Sequence, residues 1–374
     1  MKTSPIRYTP QMEHYEEDEE KIAAELGEIM LSISKKTYAD SGHAMRSVHV
    51  KSHALLQGEL HVLKDLPEPL AQGIFQHPAT YPVILRLSTI PGDILPDSVS
   101  TPRGLAIKIV GVKGERLPGS EDAVTQDFVM ANWPAFLKPN AKAFISGVKL
   151  LAMTTDRGEG IKVAGSTLLR GVEKAIEAVG NASPIIKSIG GEPAHHPLGE
   201  IYYTQVPMLH GPYMGKLSVA PISPELRALT GKEIDITHNP YALREAILDF
   251  FAMNGGEWEV RIQLCTDLDA MPIEDASIIW PEDKSPYIAV ARIVVKPQSS
   301  WSEARSVAID DGMSFSPWHG LAVHRPLGSI MRVRKIVYEM SSHFRAQRNN
   351  KTLQEPRNLK GLFTDNDPAP SIKI

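Results

Sequence analysis

The sequence has a single cysteine, Cys265, among its 374 residues. One cysteine cannot form an intramolecular disulfide or a CxxC site, and it is typical of a chain kept in a reducing compartment. The first six residues lack the apolar core of a secretory signal, and no apolar run reaches membrane-spanning length. We therefore expect a cytoplasmic protein without a membrane span.

An excess of charge of either sign is also absent. The formal net charge is −4, and aromatic residues make up 6% of the chain. A protein that binds nucleic acid usually carries a basic patch, so this composition predicts no polyanion partner. There is no GxSxG nucleophile elbow, and the phosphate-loop-like segment 211–216 lacks the hydroxyl residue that follows the lysine in such loops.

Short strand-like segments dominate the chain before residue 132 and again after residue 199. The pattern predicts strands at 83–88, 104–110, 125–132, 199–206, 216–220, 258–264 and 287–295, with less regular extended chain from 44 to 62. Most connections between them are short. This favours an α+β fold with an antiparallel sheet, closed into a barrel, over a doubly wound parallel sheet.

Helical patterns lie around these strands. Helices are predicted at 12–36, from 136 to about 183, and at 240–253, with a Gly/Pro/His connector at 184–197. We divide the chain into an N-terminal helical arm (1–40), a main body (41–350) and a C-terminal surface tail (351–374).

The segment 332–345 contains no Gly or Pro and is predicted to be helical. Its spacing places Arg334, Tyr338 and Arg345 along one stripe, with a phenol between two cations. A neighbouring positive charge stabilises a phenolate, and tyrosine is one of the few protein ligands of haem iron. The alternative is an amphipathic surface helix whose tyrosine packs by its ring.

The strand at 83–88 carries an arginine inside an apolar run. With a period of two, Ile84, Arg86 and Ser88 point to one face, and the residues between them point to the other. A buried arginine needs an anionic partner. That partner is either a core Asp or Glu or an anionic ligand.

Five segments together resemble the haem catalases. Residues 46–51 resemble the Arg-x-x-His-x-Lys segment of that family, 86–89 its Arg-Phe-Ser-Thr strand, and 101–108 its Asp-Pro-Arg-Gly-Phe-Ala-Val-Lys. Trp280-Pro281 is similar to the Trp-Pro before the last barrel strand, and the Arg and Tyr spacing of 334–345 is similar to that of the proximal helix. Each match is short, but all keep the family order across most of the chain.

The resemblance implies a small catalase-related haem protein with a barrel of about eight strands. It makes Tyr338 the proximal ligand of the iron in haem b and Arg334 the partner that keeps it a phenolate. It makes His49 the distal acid/base, with Ser88 bonded to the imidazole. His53, four residues further on, is the alternative choice.

The same resemblance assigns Arg46, Arg86 and Arg345 to the haem propionates. Guanidinium groups suit carboxylates, so Arg86 would thereby gain its anion. Because catalases are obligate oligomers, a homo-oligomer, a dimer or a tetramer, is also expected.

One departure concerns the distal asparagine of catalases, which lies in Asn-Thr-Pro-Ile-Phe-Phe and orients the peroxide. Counting along the chain places it at Val124 or Thr125, with Gln126 beside them and Asn132 too far along. The expected loss of the amide weakens the case for efficient peroxide dismutation.

Three functions follow as hypotheses. The first is a haem peroxidase or catalase-like oxidoreductase that reduces hydrogen peroxide or organic hydroperoxides through a ferryl intermediate, with a small organic reductant. The second is a fatty-acid hydroperoxide isomerase or lyase of the allene oxide synthase type, which would need an apolar channel. The third is a haem-binding protein with little turnover.

Overall fold

The computed structural model describes residues 4–154 and 191–363. The strands in that part of the chain are β1 (Ser52–Val62), β2 (Thr80–Thr89), β3 (Arg103–Val110), β4 (Thr125–Ala131), β5 (Tyr202–Tyr203), β6 (Met208–His210), β7 (Tyr213–Pro221), β8 (Gly256–Leu264) and β9 (Ile288–Val295). They form one antiparallel sheet in which β5 also pairs with β7 and β9 pairs with β1. Eight strands therefore close into a barrel, and β6 joins the start of β7 as a hairpin. The predicted antiparallel barrel is confirmed.

The two faces of β2 divide as its alternation predicts. Val83, Leu85 and Leu87 belong to the large apolar core of the barrel. Ile84 belongs to a separate apolar cluster on the other face, and Arg86 shares that face by its even spacing. The barrel interior is thus a packed core, and the polar residues at the even-numbered positions of β2 lie outside it.

The helices lie around the barrel. They are α1 (Glu19–Ser41), α2 (Ala141–Thr154), α3 (Pro224–Arg227), α4 (Ala242–Met253), α5 (Glu303–Ser306), a π-helix (Val307–Asp311) and α6 (Ser329–Arg348), with short 3₁₀ turns at Pro10–Met12, Gly73–Phe75, Pro197–Gly199 and Ala322–His324. An apolar cluster joins α1, α2 and α6 and includes Leu26, Ile145 and Val337. Within the described ranges, no helix has the length and apolar character that a bilayer crossing requires.

Element boundaries differ from the predictions at the N-terminus. The first α-helix begins at Glu19 rather than at residue 12. Glu13 is buried instead, where it accepts hydrogen bonds from Arg325 and Arg332 at 2.8 and 2.9 Å. This ion pairing requires the chain to turn before α1, which a periodicity argument does not detect.

The extended segment before residue 62 is also more regular than expected. β1 is one continuous strand from Ser52 to Val62, through Gly58, within the segment predicted as less regular extended chain. A Cβ at Gly58 would lie 2.7 Å from the carbonyl oxygen of Val294 on β9, so this glycine permits close strand approach.

The predicted helix after residue 136 begins at Ala141. The rest of the predicted helix and the first part of the predicted connector fall at 155–190, outside the described residues, as does the end of the predicted surface tail, 364–374.

Candidate active site

A cavity of about 1140 Å³ lies between the outer face of β2 to β4 and the helices α1, α2 and α6. Small-molecule sites usually measure roughly 300–1,000 Å³, so this one can take a large planar group. Much of its wall is apolar, including Leu26, Met30, Leu105, Val129, Phe144 and Val337. The sequence-predicted residues His49, Ser88, Arg46, Arg86, Arg334, Tyr338 and Arg345 all line it.

Tyr338 faces this cavity from α6. Arg334, one turn earlier, donates from Nη2 to the phenol oxygen at 2.7 Å, and its guanidinium carbon lies 5.2 Å from the ring centroid. The helix that carries them spans Ser329–Arg348, so the predicted helix is confirmed. Because Tyr338 opens onto a cavity, the surface-helix interpretation of this stripe does not hold.

His49 lies in the loop that enters β1. Its Nδ1 is 3.0 Å from Ser88 Oγ, and its backbone N–H donates to the carbonyl of Ile90 at 2.7 Å. Ser88 pairs with Gly104 across the β2–β3 ladder. A Cβ at Gly104 would lie 2.6 Å from His49 Cε1, so only glycine leaves room for the imidazole there.

The environment of His49 keeps its imidazole neutral. Burial lowers its pKa to about 3, and the nearby charges of Arg86, Arg334 and Arg46 act in the same direction. At neutral pH the ring therefore has one N–H and one free lone pair. If Nδ1 donates to Ser88, the lone pair is on Nε2.

His53 has a different setting from His49. It is fully buried, its Nε2 lies 3.2 Å from Thr89 Oγ1, and burial lowers its pKa well below the usual value. It is not among the residues that line the cavity. The geometry therefore favours His49 as the acid/base candidate.

Two of the predicted carboxylate-binding arginines share a protein anion. Arg86 Nε and Arg46 Nη1 donate to Asp310 Oδ1 at 2.6 and 3.1 Å. These contacts lower the pKa of Asp310 to about 2, against the opposing effect of its burial. The core-aspartate alternative for Arg86 is thus realised in the structure, on a residue that no sequence motif had indicated.

The arginine cluster still carries more positive than negative charge. Arg46, Arg86 and Arg345 lie near the two carboxylates of Asp310 and Asp311, and burial together with Arg86 lowers the pKa of Arg345 to about 10. Arg46 Nη2 and Arg345 Nε are buried and have no hydrogen-bond acceptor among the described residues. Buried donors of this kind call for an anionic partner.

The position of the distal amide corrects the sequence prediction. Val124, Thr125 and Gln126 do not line the cavity, whereas Asn132 does. Asn132 follows β4 directly, and β4 pairs with the strand that bears Gly104, so the amide lies near the His49 loop. The cavity wall therefore has an asparagine after all. Counting from the preceding strands misplaced it by several residues, although 132–136 has the Asn, Pro and Phe spacing of the expected motif.

The Asn132 amide is fully bonded. Its Nδ2 donates to Glu192 Oε1 at 2.8 Å and to Glu200 Oε2 at 2.7 Å, and its Oδ1 accepts from the Arg103 backbone N–H at 3.0 Å. An amide held in this way can donate to a peroxide only if one carboxylate gives up its bond.

Comparisons with known proteins agree with the fold. No protein-family model matches the sequence, and no curated protein matches it. Among solved structures, a fungal catalase superposes with a TM-score of 0.58 and 17% identity over 90% of this chain and 69% of that chain. The chain has the catalase fold. Catalase A from Saccharomyces cerevisiae gives a TM-score of 0.57 and 16% identity over 89% of this chain and 70% of its own.

A bacterial catalase gives a TM-score of 0.55 and 16% identity over 91% of this chain and 63% of its own. In each case the catalase is the longer chain, and the match covers nearly all of this one. The resemblance that five short segments indicated thus extends to the whole architecture, while the activity is a separate question that the site must answer.

Proposed function

We propose that this protein is a haem-dependent, catalase-like oxidoreductase that reduces hydrogen peroxide or organic hydroperoxides. The observation that carries the proposal is that one cavity is lined by an Arg334-bonded tyrosine, a neutral Ser88-bonded histidine and a buried arginine cluster. No single one of these features is specific. Together they supply an iron ligand, an acid/base and a carboxylate anchor.

The residues fit haem b on three grounds. The cavity is large and has an apolar wall. Arg46, Arg86 and Arg345 outnumber the two carboxylates near them, Asp310 and Asp311, so the cluster keeps a net positive charge that propionates would offset. The buried donors without acceptors, Arg46 Nη2 and Arg345 Nε, are the atoms that would hold those propionates.

Tyr338 would hold the iron, and the hydrogen bond from Arg334 favours the ionised form of the phenol. When bound, haem supplies the electron transfer that reduction of a peroxide requires. The protein supplies the position of the group, its charge balance and the movement of protons.

His49 moves the proton. As a neutral imidazole it takes a proton from one peroxide oxygen. It then delivers that proton to the other oxygen, which leaves as water or as an alcohol when the O–O bond breaks. Ser88 keeps the ring oriented through Nδ1. Carboxylates bound at the arginine cluster would offset part of the positive charge that lowers the pKa of His49, and so make it a better base.

The apolar wall favours organic hydroperoxides in addition to hydrogen peroxide. The cavity extends to α1 and α2, where Leu26, Met30, Ile33, Phe144 and Val148 line it. A fatty-acid hydroperoxide could place its chain along these residues. The hydroperoxide isomerase or lyase alternative requires such an apolar surface beside the haem, and that activity is the second candidate.

The test compares three assays on the haem-loaded protein: oxygen evolution from hydrogen peroxide, oxidation of a guaiacol-type dye, and loss of lipid hydroperoxide absorbance. Replacing His49 by Ala should slow the active reaction by about a hundredfold while haem stays bound. His343→Ala is the matched control, because His343 also lines the cavity but has no assigned role. A protein that binds haem and is inactive in every assay would leave only the haem-binding hypothesis.

The remaining expectations stay predictions. We expect a cytoplasmic homo-oligomer with a small organic reductant, and a division into N-terminal arm, main body and C-terminal tail.

A further inference from the structure

His49 has a backbone conformation that ordinary residues avoid. Its φ is +55°, in the left-handed region. For a residue with a side chain this conformation costs roughly 1–2 kcal/mol and persists only where surrounding contacts enforce it. The contacts that enforce it therefore decide where the imidazole points.

The strongest such contact to the His49 carbonyl comes from Arg86. Its Nη2 donates to the carbonyl oxygen of His49 at 2.8 Å and to that of Val50 at 3.2 Å. One guanidinium nitrogen thus holds two consecutive carbonyls at the turn. Arg86 is buried, so water cannot easily replace these bonds.

Arg86 is itself held by Asp310 in the π-helix. Asp310 Oδ1 accepts from Arg86 Nε at 2.6 Å, while Oδ2 accepts from Ser52 Oγ at 2.7 Å and from Ser306 Oγ at 2.9 Å. π-Helical turns are rare and occur often at functional sites. Here the wider turn places a fully bonded carboxylate behind the arginine.

We propose that Arg86 and Asp310 form a positioning pair that holds the His49 backbone and so aims its imidazole into the cavity. Arg86 then acts through Asp310 and the two backbone carbonyls. The carboxylates of a bound cofactor are held chiefly by Arg46 and Arg345, whose buried Nη2 and Nε, respectively, lack acceptors among the described residues. This inference refines the proposed function, because it rests on His49 as the acid/base. It also changes the expected role of Arg86 from ligand contact to support of the histidine.

Two substitutions separate the hydrogen bonds that Arg86 makes from its positive charge. Arg86→Lys keeps a positive charge near the cavity but cannot hold Asp310 and both carbonyls at once. Asp310→Asn keeps the size of the side chain and removes the charge that fixes Arg86. Asp311→Asn is the matched control, because Asp311 is in the same π-helix but bonds to His43 at 3.0 Å, whereas Arg86 bonds to Asp310.

The first readout uses the apoprotein and needs no activity. In histidine-labelled protein, the His49 Cε1–H resonance is identified by its loss in His49→Ala. Arg86→Lys and Asp310→Asn should each shift or broaden this resonance, and Asp311→Asn should leave it in place. If the resonance keeps its wild-type position in both test variants, the positioning pair is wrong, whether or not the protein binds haem.

The second readout separates haem affinity from reaction rate. Both test variants should react with peroxide at least about tenfold more slowly, and in Arg86→Lys the haem dissociation constant should change by less than about threefold. Asp310→Asn is judged by the reaction rate alone, because Asp310 also accepts a hydrogen bond from Arg46. Arg345→Gln should show the reverse, with weaker haem binding. If Arg86→Lys instead loses haem affinity and keeps its rate per bound haem, Arg86 is a direct carboxylate ligand and the proposal is refuted. Failure of the wild type to bind haem would refute the proposed function and leave the apoprotein test valid.

Discussion

Gly104 on β3 and His49 in the loop before β1 are in contact so close that no side chain fits between them. The ideal Cβ position of Gly104 lies 2.6 Å from His49 Cε1 and 2.7 Å from Nδ1. The glycine is therefore part of the wall that orients the histidine, and its place in the strand is explained by the imidazole opposite.

Replacing Gly104 by Ala should displace the imidazole and break its bond to Ser88. We expect the rate of reaction with peroxide to fall by about tenfold or more, with the haem dissociation constant much less affected, because a misplaced acid/base loses its proton-transfer geometry. Stopped-flow measurement of the first peroxide step tests this. Gly147→Ala is the control, since the nearest atom to its added Cβ is the Lys138 Cε at 3.6 Å. Equal rates in Gly104→Ala and wild type would contradict the assigned contact.

Stability should fall in acid because of the buried histidines, among them a pair formed by β6 and the 3₁₀ turn Ala322–His324. His210 and His324 have ring centroids 5.6 Å apart, and burial lowers their pKa to about 4 and about 3 from 6.5. The unfolded chain binds protons first as the pH falls below 6.5, so the free energy of unfolding should drop between pH 6.5 and pH 4, by up to about 1.4 kcal/mol per pH unit for each histidine.

Urea denaturation at a series of pH values tests this effect. A free energy of unfolding that is constant from pH 7 to pH 4 would show that neither buried histidine controls acid stability.

Arg332 ties the N-terminal segment to α6. Its guanidinium donates to Glu13 at 2.9 Å, to Glu274 at 3.0 Å and to both oxygens of Glu19. Arg332→Ala would leave these carboxylates without their shared cation, at a cost of about 3 kcal/mol. Thermal or urea unfolding measures it. Lys142→Ala removes only the exposed pair with Asp18 and should cost less than about 0.5 kcal/mol; an equal loss in both variants would contradict this view.

Much of the fold was predictable because it depends on local periodicity. The alternation at 83–88 predicted which side chains share a face of the strand, and the absence of Gly and Pro from 332–345 predicted α6. The order of the short segments also indicated the architecture that the solved catalases share.

The parts that sequence missed depend on contacts between distant residues. Asp310 lies 224 positions from Arg86, in a π-helix for which periodicity has no signature. Asn132 was passed over because simple counting along the chain placed the amide at Val124 or Thr125, although the Asn-x-Pro-x-Phe context of Asn132 was readable. Glu13 was assigned to a helix from local spacing. Its burial depends on Arg325 and Arg332, which lie 312 and 319 positions away, so local spacing does not reveal it.

The most direct test of the account is a haem titration of the apoprotein, wild type against Tyr338→Phe, followed by absorption spectroscopy. This substitution keeps the aromatic ring and removes the oxygen that Arg334 bonds at 2.7 Å. We predict that the wild type binds one haem per chain with a tyrosinate-type ferric spectrum. The variant should bind more weakly and lose that spectrum. An unchanged spectrum in Tyr338→Phe would contradict the claim that Tyr338 is the iron ligand.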